Sequence, residues 1–203
     1  MGTKIANIIS FILHPLFIPT YALLLLFSLD FYVSFFFPYS SKLLIVGNIF
    51  ILTCVFPLLS IFVFMKTGVI KTLQLETKEE RTFPFLTIAV FYYLTYYLLR
   101  QLHFPQIIYL FVLGAVTLAI ISLIINIWWK ISVHMIGMGA LLGVFLSLSL
   151  KLMINIQLLI LLLILLSGLV GFSRLKLNMH GPAQVYVGFF VGLLVMLFPF
   201  LFL

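Results

Sequence analysis

Apolar residues run along this chain in blocks much longer than a soluble helix or strand requires, and polar residues are confined to the gaps between blocks. Seven blocks can be drawn: Phe11–Leu29, Leu43–Met65, Phe85–Leu99, Gln106–Ile127, Met135–Leu150, Asn155–Gly171 and Val185–Leu203. Each approaches the ~20 residues that carry a helix across ~30 Å of hydrocarbon. Runs such as Leu158 to Leu166 are apolar on every side and lack the alternation of a membrane barrel strand. Unpaired backbone groups are too costly in lipid for anything but helix in such runs. The pattern predicts an all-α fold, a polytopic transmembrane helix bundle of about seven spans, read as a single integral membrane domain over residues 1–203.

Two blocks carry irregularities. The third is short and borrows Thr82 to Pro84 and Arg100 at its ends. The first holds His14-Pro15 and Pro19, which predict either a kink or a start lying along the interface. It continues past both prolines with no small-residue cleavage site, so it reads as a retained span and not a signal peptide. Gly139 with Gly143, and Gly188 with Gly192, each mark one helical face where another backbone can approach; packing within the bundle is preferred to dimerisation.

Composition agrees with this pattern. Of 203 residues, 65% are hydrophobic and 7% charged, and the mean hydropathy of +1.36 excludes a water-soluble domain. The single Cys54 sits in an apolar run, where it reads as a small packing residue. The formal charge of +7 comes from Lys+Arg 11 against Asp+Glu 4, spread over short loops. Such a spread suits membrane lipids and topology, and no nucleic-acid partner is expected.

The distribution of those charges is uneven. If all seven blocks cross, one face holds Lys4, Lys66, Lys71, Lys78, Arg81, Lys130, Arg174 and Lys176, and the other only Lys42, Arg100 and Lys151. Glu76, Glu79, Glu80, His134 and His180 fall on the richer face too. Three clusters there lead into spans: Lys78-Glu79-Glu80-Arg81-Thr82-Phe83-Pro84, Lys130-Ile131-Ser132-Val133-His134, and Ser173-Arg174 with His180 and Gln184. Cations at helix mouths are costly in lipid unless something answers them. A shared anion would: guanidinium groups hold phosphate oxygens in pairs, and helix N-termini add N–H donors. Two histidines beside it offer a nucleophile and a proton donor. His14 and His103 have no partner pattern and read as structural or interfacial. Asp30 ends the first span, and Trp128 and Trp129 read as a belt anchor.

These clusters resemble the motifs of the type 2 phosphatidic acid phosphatase (PAP2) and haloperoxidase superfamily: Lys-x6-Arg-Pro, Pro-Ser-Gly-His and Ser-Arg-x5-His-x3-Asp. Ser173, Arg174 and His180 stand at the spacing of the third motif. Ser132 and His134 match the second, with Ile131 and Val133 in place of Pro and Gly. For the first, Arg81 is present, while Gln74 takes the lysine position and Thr82 the proline position. The resemblance covers about residues 71–192 and implies a six-helix PAP2-like core.

By the resemblance, His180 attacks phosphorus to form a phosphohistidine, and His134 protonates the leaving group. Arg81 and Arg174 hold the phosphate oxygens with help from Ser132, and Lys78 or Lys130 stands in for the missing lysine. Gln184 occupies the place of the family aspartate; its carbonyl can orient the imidazole but cannot favour an imidazolium as a carboxylate does. The implied activity is hydrolysis of a lipid phosphate or diphosphate, of the polyprenyl diphosphate or phosphatidate type, with no cofactor and no metal. The alternatives are a weakened relative that binds or moves such a lipid, and a structural membrane subunit. The expected setting is the bacterial cytoplasmic (inner) membrane. The positive-inside rule and the family precedent of an extracytoplasmic site point opposite ways, leaving orientation open, with the precedent preferred. Oligomeric state is not readable from the sequence.

Overall fold

A computed structural model describes residues 2–29, 37–71 and 78–202; the side chains of Lys78 and Glu79 also fall outside the described part. Asp30, Gln74 and Glu76 lie outside the described residues. Among the described residues there are helices and turns but no strand, and seven helices are long and apolar enough to cross a membrane. They run Thr3–Ser28, Tyr39–Lys66, Glu80–Gln101, Gln106–Trp128, Val133–Leu152, Gln157–Lys176 and Pro182–Leu201, one for each block read from the sequence. The chain is thus an all-α polytopic membrane protein.

The first span is broken where the prolines predict it. Helix α1 (Thr3–Ile12) ends at Leu13, a 3₁₀ turn occupies Pro15–Phe17, and α2 (Ile18–Ser28) follows. Pro15 takes the first position of its turn, where no N–H is needed, and His14 caps it: its Nδ1 accepts the Leu16 N–H at 3.4 Å. The second span is α3 (Tyr39–Phe50), a π-helical turn (Ile51–Val55) and α4 (Phe56–Lys66). Pro57 supplies no N–H to the preceding turn, and the wider π turn lies just ahead of it. Cys54 is buried beside that bend, as its apolar setting predicts.

The third span, α5 (Lys78–Gln101), takes in Thr82–Pro84 and Arg100, as its short apolar block requires. It closes on His103, whose φ of 55° puts it in the left-handed region, with Phe104 N–H returning to the Leu99 carbonyl at 3.1 Å. His103 is exposed and structural. Then come α6 (Gln106–Trp128), α7 (Val133–Leu152), α8 (Gln157–Lys176) and α9 (Pro182–Leu201).

Contacts gather the chain into two units, residues 1–18 with 128–203, and residues 19–127. In the first unit α7 is the enclosed helix, with an unbroken buried run from Met135 to Phe145. Its main partner is α9, which lies parallel to it, and the two glycine pairs interlock. A Cβ at Gly139 would fall on the Phe189 carbonyl, and one at Gly192 on the Ile136 carbonyl. At Gly143 it would stand 2.5 Å from the Leu193 carbonyl oxygen. Both small-residue faces are therefore spent on each other within one chain, as the sequence pattern implies. Helices α1 and α8 also pack together, and the 3₁₀ turn lies on α7. In the second unit α4 packs on α5, and Phe56 and Phe91 meet with ring centroids 5.6 Å apart.

Candidate functional site

In the first unit the close parallel packing of α7 and α9 brings their N-termini side by side. The Ser132 N–H donates to the Gln184 carbonyl at 3.3 Å, and Gly188 lets the Ser132 carbonyl approach to 2.8 Å from where a Cβ would stand. Both helices thus present their positive ends in one direction.

Helix α8 runs the other way and ends with Arg174 in its last turn. It is closed by Asn178 at φ 52°, with Leu177 N–H to Ser173 O at 3.0 Å and Met179 N–H to Arg174 O at 3.2 Å. Asn tolerates this left-handed position better than a branched residue, because its short polar side chain bonds locally. The reversal returns the chain within six residues from Arg174 to His180, at the start of α9. Spacing that reads as a motif in the sequence is here one helix end, one reversal and one helix start.

His180 is held by Gln184. The amide oxygen Oε1 lies 3.1 Å from His180 Nδ1 and 3.0 Å from the Gly181 nitrogen. Gly181 can only donate there, so that atom is an acceptor, and His180 Nδ1 must carry the hydrogen it shares with it. The tautomer leaves the lone pair of the neutral ring on Nε2. The amide therefore orients the imidazole as the sequence reading expects of it.

His134 begins α7, with its Nε2 3.1 Å from the Ser10 carbonyl oxygen in α1. A carbonyl only accepts, so Nε2 carries a hydrogen and Nδ1 is the atom left to gain or lose a proton. The ring of His14 meets it edge to face, with centroids 5.1 Å apart and planes at 84°. The Arg174 charge acts on both His14 and His134, and His180 acts on His134 as well. Arg174 is only 8% exposed, and its Nε has no hydrogen-bond partner among the described residues. The Oγ atoms of Ser132 and Ser10 are enclosed and equally unpartnered. Three of the four such buried atoms among the described residues thus belong to Ser10, whose carbonyl meets His134, to Ser132, two residues before it, and to Arg174, whose charge acts on it. Each costs about 1–3 kcal/mol while unsatisfied, a concentration that apolar packing alone does not produce.

No protein-family model, curated protein or solved structure matches this chain.

Of the residues singled out from the sequence, His180, Gln184, His134, Ser132 and Arg174 belong to this one cluster. Lys130 is half-buried in the same unit, two residues before Ser132. Arg81 belongs to the second unit, where it is buried and donates from Nη1 to Asn126 Oδ1 at 3.2 Å. Asn126 also reaches Thr82 Oγ1 at 3.5 Å, and Glu80 accepts the Lys71 N–H at 3.2 Å. The Lys78 side chain lies outside the described part.

Two participants escape the sequence reading. Asn126 is the one asparagine in the apolar α6, and its polarity near the end of that helix was the available signal. His14 lies far from every motif, and only the fold places it against His134.

The donors define what this cluster can hold. It offers a guanidinium, helix N-termini, hydroxyls and imidazoles, and the unit that holds it contains no Asp or Glu. Among the described residues no three His, Cys, Asp or Glu side chains form a metal ligand set. A small oxyanion with several acceptor oxygens is the ligand that such donors satisfy.

Proposed function

We propose that this chain is a membrane phosphatase that hydrolyses a lipid phosphate or diphosphate, of polyprenyl diphosphate or phosphatidate type, through a phosphohistidine. The observation that carries this is the buried Arg174 guanidinium, with its unpartnered Nε, beside histidines fixed in complementary tautomers. The motif resemblance to the PAP2 superfamily points the same way.

In this mechanism Arg174, the Ser132 hydroxyl and the first N–H groups of α7 hold the phosphoryl oxygens. His180 Nε2 attacks phosphorus and the bond to the leaving oxygen breaks. Neutral His134 accepts onto Nδ1 the proton that the bound phosphate monoanion carries and gives it to that oxygen, then takes a proton from the water that cleaves the phosphohistidine and returns it to the departing phosphate. Free phosphate leaves and both rings return to their starting state. Lys130, in the same unit, adds a further cation by the family pattern. We place the protein in a bacterial cytoplasmic membrane with the site facing outward, following the family precedent.

A second reading has its own support. Gln184 is an amide where the family has a carboxylate, which favours a protein that binds or moves a lipid phosphate without hydrolysing it. Phosphate release from a panel of lipid mono- and diphosphates separates the two, with His180→Ala as control. Release that disappears in His180→Ala supports the enzyme. Binding without release leaves the carrier, and neither binding nor release removes both.

A further inference from the structure

We infer that His14 is a third imidazole of this anion site, a fixed N–H donor to a non-bridging oxygen of the phosphate held by Arg174. The inference rests on the phosphate reading above and adds the N-terminal segment to the site.

Several independent observations converge on it. His14 Nδ1 accepts the Leu16 N–H that starts the 3₁₀ turn, so that nitrogen is unprotonated. The ring hydrogen is then on Nε2, which makes no hydrogen bond among the described residues. An imidazole locked this way offers a donor without titrating, a way for a neutral histidine to serve an anion. Its position is also built. Gly137, one turn along α7 from His134, faces the same segment: a Cβ there would stand 3.1 Å from Ile18 Cγ1 and 3.7 Å from Pro15 Cα. The missing side chain lets the His14–Ile18 segment lie on α7 with the two rings in contact. The charge of Arg174 acts on both imidazoles. A histidine serving only as a turn cap needs none of this, since Asn or Ser caps as well.

That last point supplies the test. His14→Asn keeps an acceptor at the Nδ1 position and removes the distal donor. His14→Gln keeps a donor near the Nε2 position and weakens the cap. The full chain, purified in detergent, is titrated with inorganic phosphate and separately with dioctanoyl phosphatidate, following binding by calorimetry.

His14→Asn is expected to weaken both ligands about tenfold, the effect of a lost hydrogen bond to a charged group, with His14→Gln close to the native protein. The opposite ranking, Asn native-like and Gln weak, overturns the inference and leaves His14 as a cap. Equal weakening by both substitutions also overturns it. Weakening confined to phosphatidate does so too, because the contact would then be with the ester and not the phosphate. If the native protein binds neither ligand, the phosphate reading itself fails and His14 falls with it.

Discussion

One of the two closest backbone approaches in the first unit offers the sharpest test of how the site is built. Gly192→Ala places a methyl group on the Ile136 carbonyl, a backbone atom that no rotamer change can move. The neighbouring Gly143 gives the scale: a Cβ there would sit 2.5 Å from the Leu193 carbonyl oxygen. Carbon–oxygen contacts ordinarily lie near ~3.3–3.6 Å, so relieving the closer clash at Gly192 parts α7 and α9 by at least about 1 Å. A gap of ~0.5–1 Å forfeits a quarter to a half of the dispersion energy of every contact across it. The cost therefore belongs at the upper end of overpacking, about 3 kcal/mol. At about 2–4 °C per kcal/mol for a chain of this size, the melting temperature falls by roughly 6–12 °C. Thermal unfolding in detergent measures this, with Gly168→Ala as control. Gly168 lies inside α8 with nothing within 4 Å of its missing Cβ. Alanine there removes backbone freedom and stabilises by up to about 1 kcal/mol. If the two variants melt together, α7 and α9 do not pack through their glycines, and the pairing of Ser132 with Gln184 loses its support.

Three further predictions concern the site itself. Arg174→Met replaces an enclosed cation with an apolar side chain of similar length; it is expected to stabilise the phosphate-free protein by about 1–3 kcal/mol while abolishing phosphate binding. Melting curves with and without phosphate check this, and destabilisation in both conditions would show that Arg174 is paired inside the fold. Gln184→Glu places a carboxylate beside His180 and is expected to raise turnover about tenfold or more while raising KM, because the added charge opposes the phosphate. Unchanged turnover in an active protein would remove His180 as the nucleophile. Asn178→Val forces a branched residue into a left-handed position and should cost about 1–2 kcal/mol, whereas Asn178→Gly should be near neutral in the same unfolding assay.

All seven spans and the break in the first were legible because lipid imposes them: length, apolarity on all sides and proline are local properties. The glycine pairs were legible for a related reason, since a four-residue spacing defines a helical face without knowledge of the partner. Their mutual pairing was not, because neither pair names the other. The same division runs through the site. Ser173, Arg174, His180 and Gln184 lie within one helix end and one helix start, so their spacing carries their geometry. His134 could be suspected through Ser132, two residues away. His14 could not, because its relation to His134 exists only once the 3₁₀ turn lies against α7 at Gly137. Asn126 is a similar case, made meaningful by Arg81, which is 45 positions away.

The choice of an amide at position 184 follows from the charge balance of the cluster. Arg174 stands at the C-terminus of α8, whose carbonyl end favours a cation, while the starts of α7 and α9 favour an anion nearby. No Asp or Glu of this unit competes for the guanidinium, because residues 1–18 and 128–203 contain none. A carboxylate at position 184 would strengthen His180 as a nucleophile, but it would also place a resident negative charge among the groups that must attract phosphate. The amide keeps the orienting hydrogen bond at 3.1 Å without that charge. On the proposed reading the site thus favours affinity for the anion over activation of the nucleophile.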